Sequence, residues 1–168
     1  MSDAVRKQLL FKLTEAVRKD GIRHIWLRLA GGEPLGQFGA WKLFIAEARS
    51  ALTDMGCKFE AGFVTNLTLL NDEIIDFAKA YGIGFVVSLD GVEATHDATR
   101  SFRSGCGSFG VVDTNLREPN EPGFQTCASG FQAALFMLMA LLNTVMCNSV
   151  MIARQATPFS TRNLALLI

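Results

Sequence analysis

Three short apolar stretches, residues 22–30, 59–65 and 83–89, alternate with segments whose apolar residues recur at helical spacing. No other feature constrains the fold as strongly. Strands joined by helical crossovers pair in parallel, with right-handed connections. The stretch 83–89 (IGFVVSL) is nearly all apolar, as suits a parallel strand covered on both faces. The helical segments carry their own punctuation. Ser2 is a good N-cap for a helix with Val5, Leu9, Leu13 and Ala16 on its stripe, widened by Leu10 and Val17 and stopped at Gly21. A second helix is predicted over 37–55, stopped by Gly56. Asn71 caps a third, whose stripe includes Ile74, Ile75, Phe77 and Ala78 and which ends at Gly82. A doubly wound sheet and a (β/α) barrel both satisfy this order. Three strands cannot close a barrel, so a barrel reading means a piece of one.

Composition narrows the class of protein. A chain of 168 residues suits one domain of moderate size. With 49% hydrophobic and 19% charged residues it is too apolar to be disordered. Sixteen basic residues balance sixteen acidic ones without a basic cluster, which argues against a nucleic-acid partner. Four cysteines are too few for a disulfide scaffold. The first twenty residues are charged and lack an apolar core, unlike a signal peptide, so the cytoplasm is the expected compartment. Charge also divides the chain. Glu121 is the last acidic residue, and beyond it the only charges are Arg154 and Arg162. Residues 1–121 therefore read as the α/β unit and residues 122–168 as a divergent apolar tail.

A polar group follows each strand-like stretch. The first is Gly31-Gly32-Glu33-Pro34, the second Thr65-Asn66, and the third Ser88-Leu89-Asp90-Gly91 followed by His96-Asp97-Ala98-Thr99-Arg100. In parallel α/β folds the carboxyl ends of the strands form the ligand face, so the three groups are expected to converge. Glycines allow close backbone approach. Glu33 can accept from an ammonium group, and Arg100 can fork onto a carboxylate. That set suits an amino-acid head group. Each group alone is more ordinarily a turn, a cap or a solvated charge; one per strand end in consecutive units is harder to dismiss.

The stretches LAGGEPL, FVTNLTLL, VVSLDGVEATHDATR and GCGSF, within residues 2–109, resemble the radical S-adenosylmethionine enzymes. They are most similar to the SPASM branch, which includes the anaerobic sulfatase-maturating enzymes. The resemblance implies a partial (β/α) barrel with S-adenosylmethionine across its top and a peptide or protein substrate. It implies that Gly31, Gly32 and Glu33 hold the methionine amino group and that Pro34 fixes the chain leaving the turn. Asn66 would lie beside the cofactor, and Ser88 and Arg100 would anchor the methionine carboxylate and nearby atoms. One motif position departs from the family: Leu67 stands where glycine is usual after Thr-Asn, and a positive φ there would strain a leucine.

The family's [4Fe–4S] cluster is held by a CxxxCxxC loop. Cys57, Cys106, Cys127 and Cys147 do not have that spacing, so no metal ligands are expected on this chain. Met1 then reads as an internal start or a truncated gene model. The alternative to a radical enzyme is a catalytically silent fragment or a weak cofactor-binding module. The tail is expected to be helical or poorly ordered and not to complete the barrel. Residues 122–153 carry no charge, and 133–142 are almost wholly apolar. A frame-shifted end, a buried helix and a membrane span each account for such a stretch, the last making a small membrane-associated protein the least favoured reading.

Overall fold

The computed structural model describes residues 1–117, 126–128, 144–147, 150–153 and 163–167. Helix α1 (Asp3–Asp20) precedes strand β1 (His24–Leu29), α2 (Phe38–Asp54) precedes β2 (Lys58–Thr65), and α3 (Asp72–Tyr81) precedes β3 (Gly84–Val87). Two shorter helices follow, α4 (Glu93–Thr99) and α5 (Phe109–Arg117). The three strands lie side by side in parallel, in the order expected, with Leu29 opposite Phe63 and Phe63 opposite Phe85. This is a mixed α/β arrangement, a parallel sheet flanked by helices, as in a partial β/α barrel.

Local chemistry accounts for the helix ends. The Ser2 hydroxyl accepts from Val5 N–H, and Asn71 Oδ1 accepts from Ile74 N–H. Gly21 and Gly82 adopt left-handed φ of 65° and 57° at the C-caps of α1 and α3. Strand alternation then sorts the sheet faces. Ile25, Leu27, Leu29, Phe59, Ala61, Phe63, Phe85 and Val87 are all buried and form one continuous core. Leu9, Leu13 and Val17 of α1, Phe44, Ile45, Ala48 and Leu52 of α2, and Ile74, Phe77 and Ala78 of α3 complete that core. Val5, expected on the apolar stripe of α1, is half exposed.

The described tail segments differ from the helical expectation. Strand β4 (Thr126–Ala128) pairs in parallel with β3. Strands β5 (Thr144–Cys147), β6 (Val150–Ala153) and β7 (Asn163–Leu167) form an antiparallel run, and β7 joins the free edge of β1 in parallel. The sheet order is β4-β3-β2-β1-β7-β6-β5. Thr144 and Val145, read from sequence as the end of an apolar helix, are therefore strand residues. The physical reason is pairing: β7 satisfies the edge of β1, β6 pairs with β7, and β5 pairs with β6. Leu166, opposite Leu27, is buried. Residues 133–143, the rest of the expected helix, lie outside the described residues. No helix among the described residues is long and apolar enough to cross a membrane.

Candidate functional site

Because β1, β2 and β3 are parallel and in register, Gly31–Pro34, Thr65–Asn66 and Ser88–Asp90 leave the sheet at one edge. Hydrogen bonds join them. Thr65 Oγ1–H donates to Glu33 Oε1 at 2.6 Å, and Asn66 N–H donates to Glu33 Oε2 at 2.8 Å. Leu35 N–H also reaches Glu33 Oε1 at 3.1 Å, closing the short 3₁₀ turn that buried Pro34 begins. Ser88 N–H donates to Thr65 O at 2.9 Å. Both Glu33 carboxylate oxygens are thus engaged in holding the first two strand ends together. These bonds fix the loop that bears Gly31 and Gly32 and leave further acceptor capacity on the carboxylate.

Those two glycines are exposed, with φ of 90° and 51°. Beyond their chain neighbours, no heavy atom lies within 4 Å of where a Cβ would sit on either, so that side of each glycine borders open space. Asn66 Oδ1 accepts from Thr68 N–H and Thr68 Oγ1–H, at 3.0 and 2.8 Å. Leu67 does adopt φ of 60°, the only positive value at a non-glycine among the described residues. It is held by Leu67 N–H to Thr65 Oγ1 at 2.9 Å, by Asn115 Nδ2–H to Leu67 O at 2.8 Å, and by burial of its side chain.

Beyond β3 the motif residues brace one another. Arg100 Nε and Nη2 donate to Asp90 Oδ2 and Oδ1, at 2.6 and 3.3 Å. The hydrogen bond from Arg100 holds the Asp90 carboxyl below its ordinary value, with burial opposing it. His96 is buried; Asp90 N–H donates to its Nδ1 at 3.3 Å, so Nε2 carries the proton and donates to Ser108 Oγ at 3.0 Å. Ser108 Oγ–H in turn donates to Arg100 O at 2.5 Å. Asp97 Oδ1 accepts from Phe109 N–H at 2.8 Å at the start of α5. A Cβ on Gly107 would lie 1.9 Å from Asp97 Oδ2, which explains a glycine there.

Sequence reasoning quoted His96, Asp97, Gly107 and Ser108 inside motifs but gave them no role. Their signal was the motif spacing; their partners lie across a loop and are not legible locally. The other face of the sheet carries His24, Trp26, Arg28, Lys58 and Glu60, visible as alternation in HIWLRL. Glu60 meets His24 Nε2 at 2.6 Å and Lys58 Nζ at 2.7 Å, and the Lys58 hydrogen bond first, then His24, holds its carboxyl below the ordinary value despite burial. Arg28 lies 4.1 Å over the Trp26 ring. A pocket of about 260 Å³ opens there, lined in part by Trp26, Arg28, Gly62 and Gly84, on the sheet face and not at the motif-bearing edge.

Two cysteines have described side chains. Cys57 is buried just before β2, and burial pushes its thiol up. Cys106 is in an exposed turn. Among the described residues no three His, Cys, Asp or Glu side chains form a group able to hold a metal ion.

The fold is therefore a partial β/α fold, parallel strands flanked by helices, and solved structures share it. The particular solved structures it resembles are those of an anaerobic sulfatase-maturating enzyme, anSMEcpe. The native form with bound AdoMet superimposes with a TM-score of 0.61 at 19% identity, covering 71% of this chain and 33% of that one. The form with AdoMet and the Cp18Cys peptide gives 0.64 at 19% identity, covering 75% and 34%. The form with AdoMet and the Kp18Cys peptide gives 0.59 at the same identity. The chain thus spans about a third of the length of these relatives, and the likeness is one of fold. No family model and no curated protein matches the chain.

Proposed function

We propose that this chain is part of a radical S-adenosylmethionine enzyme of the sulfatase-maturase-like, peptide-modifying branch, and that its own share is to hold the amino-acid end of S-adenosylmethionine. The observation that carries this reading is the bonded edge running from Glu33 through Thr65 and Ser88 to Asp90, with Arg100 paired to it. The residues present fit that group. Gly31 and Gly32 leave open space where side chains would stand, which lets a polar head approach the backbone. The Ser88 hydroxyl makes no hydrogen bond among the described residues. Arg100 offers the guanidinium edge that Asp90 does not occupy. Asn66 lies beside these groups at the end of β2. In the family the cofactor supplies a carbon-centred radical when its sulfonium bond is cleaved reductively. Here Glu33 fixes the glycine loop, Ser88 and Arg100 bind and orient, and a peptide or protein is the substrate class.

An iron–sulfur cluster does not fit the described residues. Cys57 lies in the core and Cys106 in an exposed turn, and no electron-transfer step is assigned to either. That mismatch favours a second reading, in which this chain binds the cofactor without cleaving it. Isothermal titration of the full chain with S-adenosylmethionine tests the binding role. Weak, saturable binding that is lost in Arg100→Ala and reduced in Ser88→Ala is expected. Absence of binding, or tight binding indifferent to Arg100→Ala, overturns it. Turnover to 5′-deoxyadenosine after anaerobic iron–sulfide reconstitution would overturn the silent reading.

A further inference from the structure

Arg100 alone is a poor anchor, because an arginine side chain has many rotamers to lose when it binds. The structure removes that freedom in two steps. The first is the carboxylate of Asp90, which takes Arg100 Nε and Nη2 together. This is the side edge of the guanidinium. The end edge, made by Nη1 and the second proton of Nη2, has no acceptor among the described residues. A ligand carboxylate can fork onto that end edge without displacing Asp90.

The second step fixes the two backbones. His96, only 1% exposed, accepts from Asp90 N–H through Nδ1. Its own carbonyl accepts from Arg100 N–H at 2.7 Å. Through Nε2–H it holds Ser108, whose hydroxyl donates to Arg100 O. One buried imidazole therefore bonds to the main chain of Asp90 and, through Ser108, to the carbonyl of Arg100, while the His96 backbone carbonyl takes the Arg100 N–H. A solvent-facing ion pair with side chains 39% and 33% exposed would by itself contribute little. Here its geometry is imposed from the buried side.

We propose that Asp90 is a positioning residue that presents the end edge of Arg100 to the carboxylate of an amino-acid-like ligand, with His96 setting the spacing of the two. This rests on the reading that the edge binds the amino-acid end of S-adenosylmethionine. Asp90 also carries a negative charge near the incoming carboxylate. In solvent that repulsion is screened, and the gain from a preset guanidinium outweighs it.

The test uses the full chain, two probes and one ligand-free measurement. Asp90→Asn keeps the shape and removes the charge-assisted pair. It is expected to weaken S-adenosylmethionine binding about three- to tenfold, the cost of immobilising one long side chain. Decarboxylated S-adenosylmethionine lacks the group Arg100 would grip, so the same variant should leave its affinity unchanged. Equal losses with both probes would mean a merely structural role, and unchanged or tighter binding of the intact cofactor would mean that Asp90 does not position Arg100; either overturns the proposal. Independently of any ligand, the Arg100 Nε–H resonance should exchange slowly in the wild type and rapidly in Asp90→Asn. If the wild type binds neither probe, the binding role fails, and the resonance alone decides whether Asp90 immobilises Arg100. Rapid exchange in the wild type overturns that claim too.

Discussion

Leu67 is where local backbone preference and core packing conflict. A left-handed conformation costs a leucine about 1–2 kcal/mol, whereas burying its side chain contributes about 1.5–3 kcal/mol. Burial is 98% complete, since only 2% of the residue remains exposed. Leu67→Gly removes the strain and the packing together. A net destabilisation of about 1 kcal/mol is expected in chemical denaturation, and a gain in stability would show that strain dominates. Leu67→Val should be worse, because a β-branched residue tolerates φ of 60° least. Asp90 is the other residue with a measurable signature. Its carboxyl is held low by Arg100, so the pair's stabilisation is complete above the ordinary aspartate value, about 3.9, and is lost as pH falls through the lower folded value. The exposure of the pair keeps the effect small. Asp90→Asn should flatten the acid limb of the stability curve and leave the region above pH ~5 sloped as before; an unchanged acid limb would show the pair to be idle.

At the scale of elements, the link between α4 and α5 depends on a side chain fitting where another has been omitted. Asp97 bonds to Phe109 N–H and lies against the Cα of Gly107. An added Cβ must push the carboxylate away and break its contact with the start of α5. Gly107→Ala is therefore expected to destabilise the chain by about 1–2 kcal/mol, with faster amide exchange in the first turn of α5. Asp97→Ala alone loses only the hydrogen bond. The double variant should be closer to Asp97→Ala than to the sum of the two, since the clash disappears with its partner. Strict additivity would mean the two residues do not meet.

For the whole molecule the tail decides how much sheet there is. Strand β7 covers the edge of β1 from His24 to Arg28, and Leu166 adds to the core opposite Leu27. Strand β4 covers β3. A chain cut after Glu121 would leave both edges with unpaired backbone groups. The full chain is expected to be the more protease-resistant and the more soluble of the two, measured by limited proteolysis and by the soluble fraction on expression. A more stable 1–121 fragment would mean that the described tail strands add nothing to the fold.

Much of the fold and the candidate site was written into local patterns. Helix caps such as Ser2, Asn71, Gly21 and Gly82 act within a few residues, so their chemistry is legible in order along the chain. Parallel pairing followed from helical crossovers between apolar stretches, and with it the placement of Gly31, Asn66 and Ser88 at one edge. The strain at Leu67 was foreseen only through the resemblance, which puts a glycine at that position. What only the tertiary structure decided are the partners. Glu33 turned out to hold Thr65 and Asn66, more than thirty residues away, and His96 to bind the main chain of Asp90 and, through Ser108, of Arg100. Apolarity at 144–147 and 163–167 did not distinguish helix from strand, since both bury the same side chains. The open edge of β1 chose strand for 163–167, through hydrogen bonds that no local pattern encodes, and β6 carried the pairing on to 144–147.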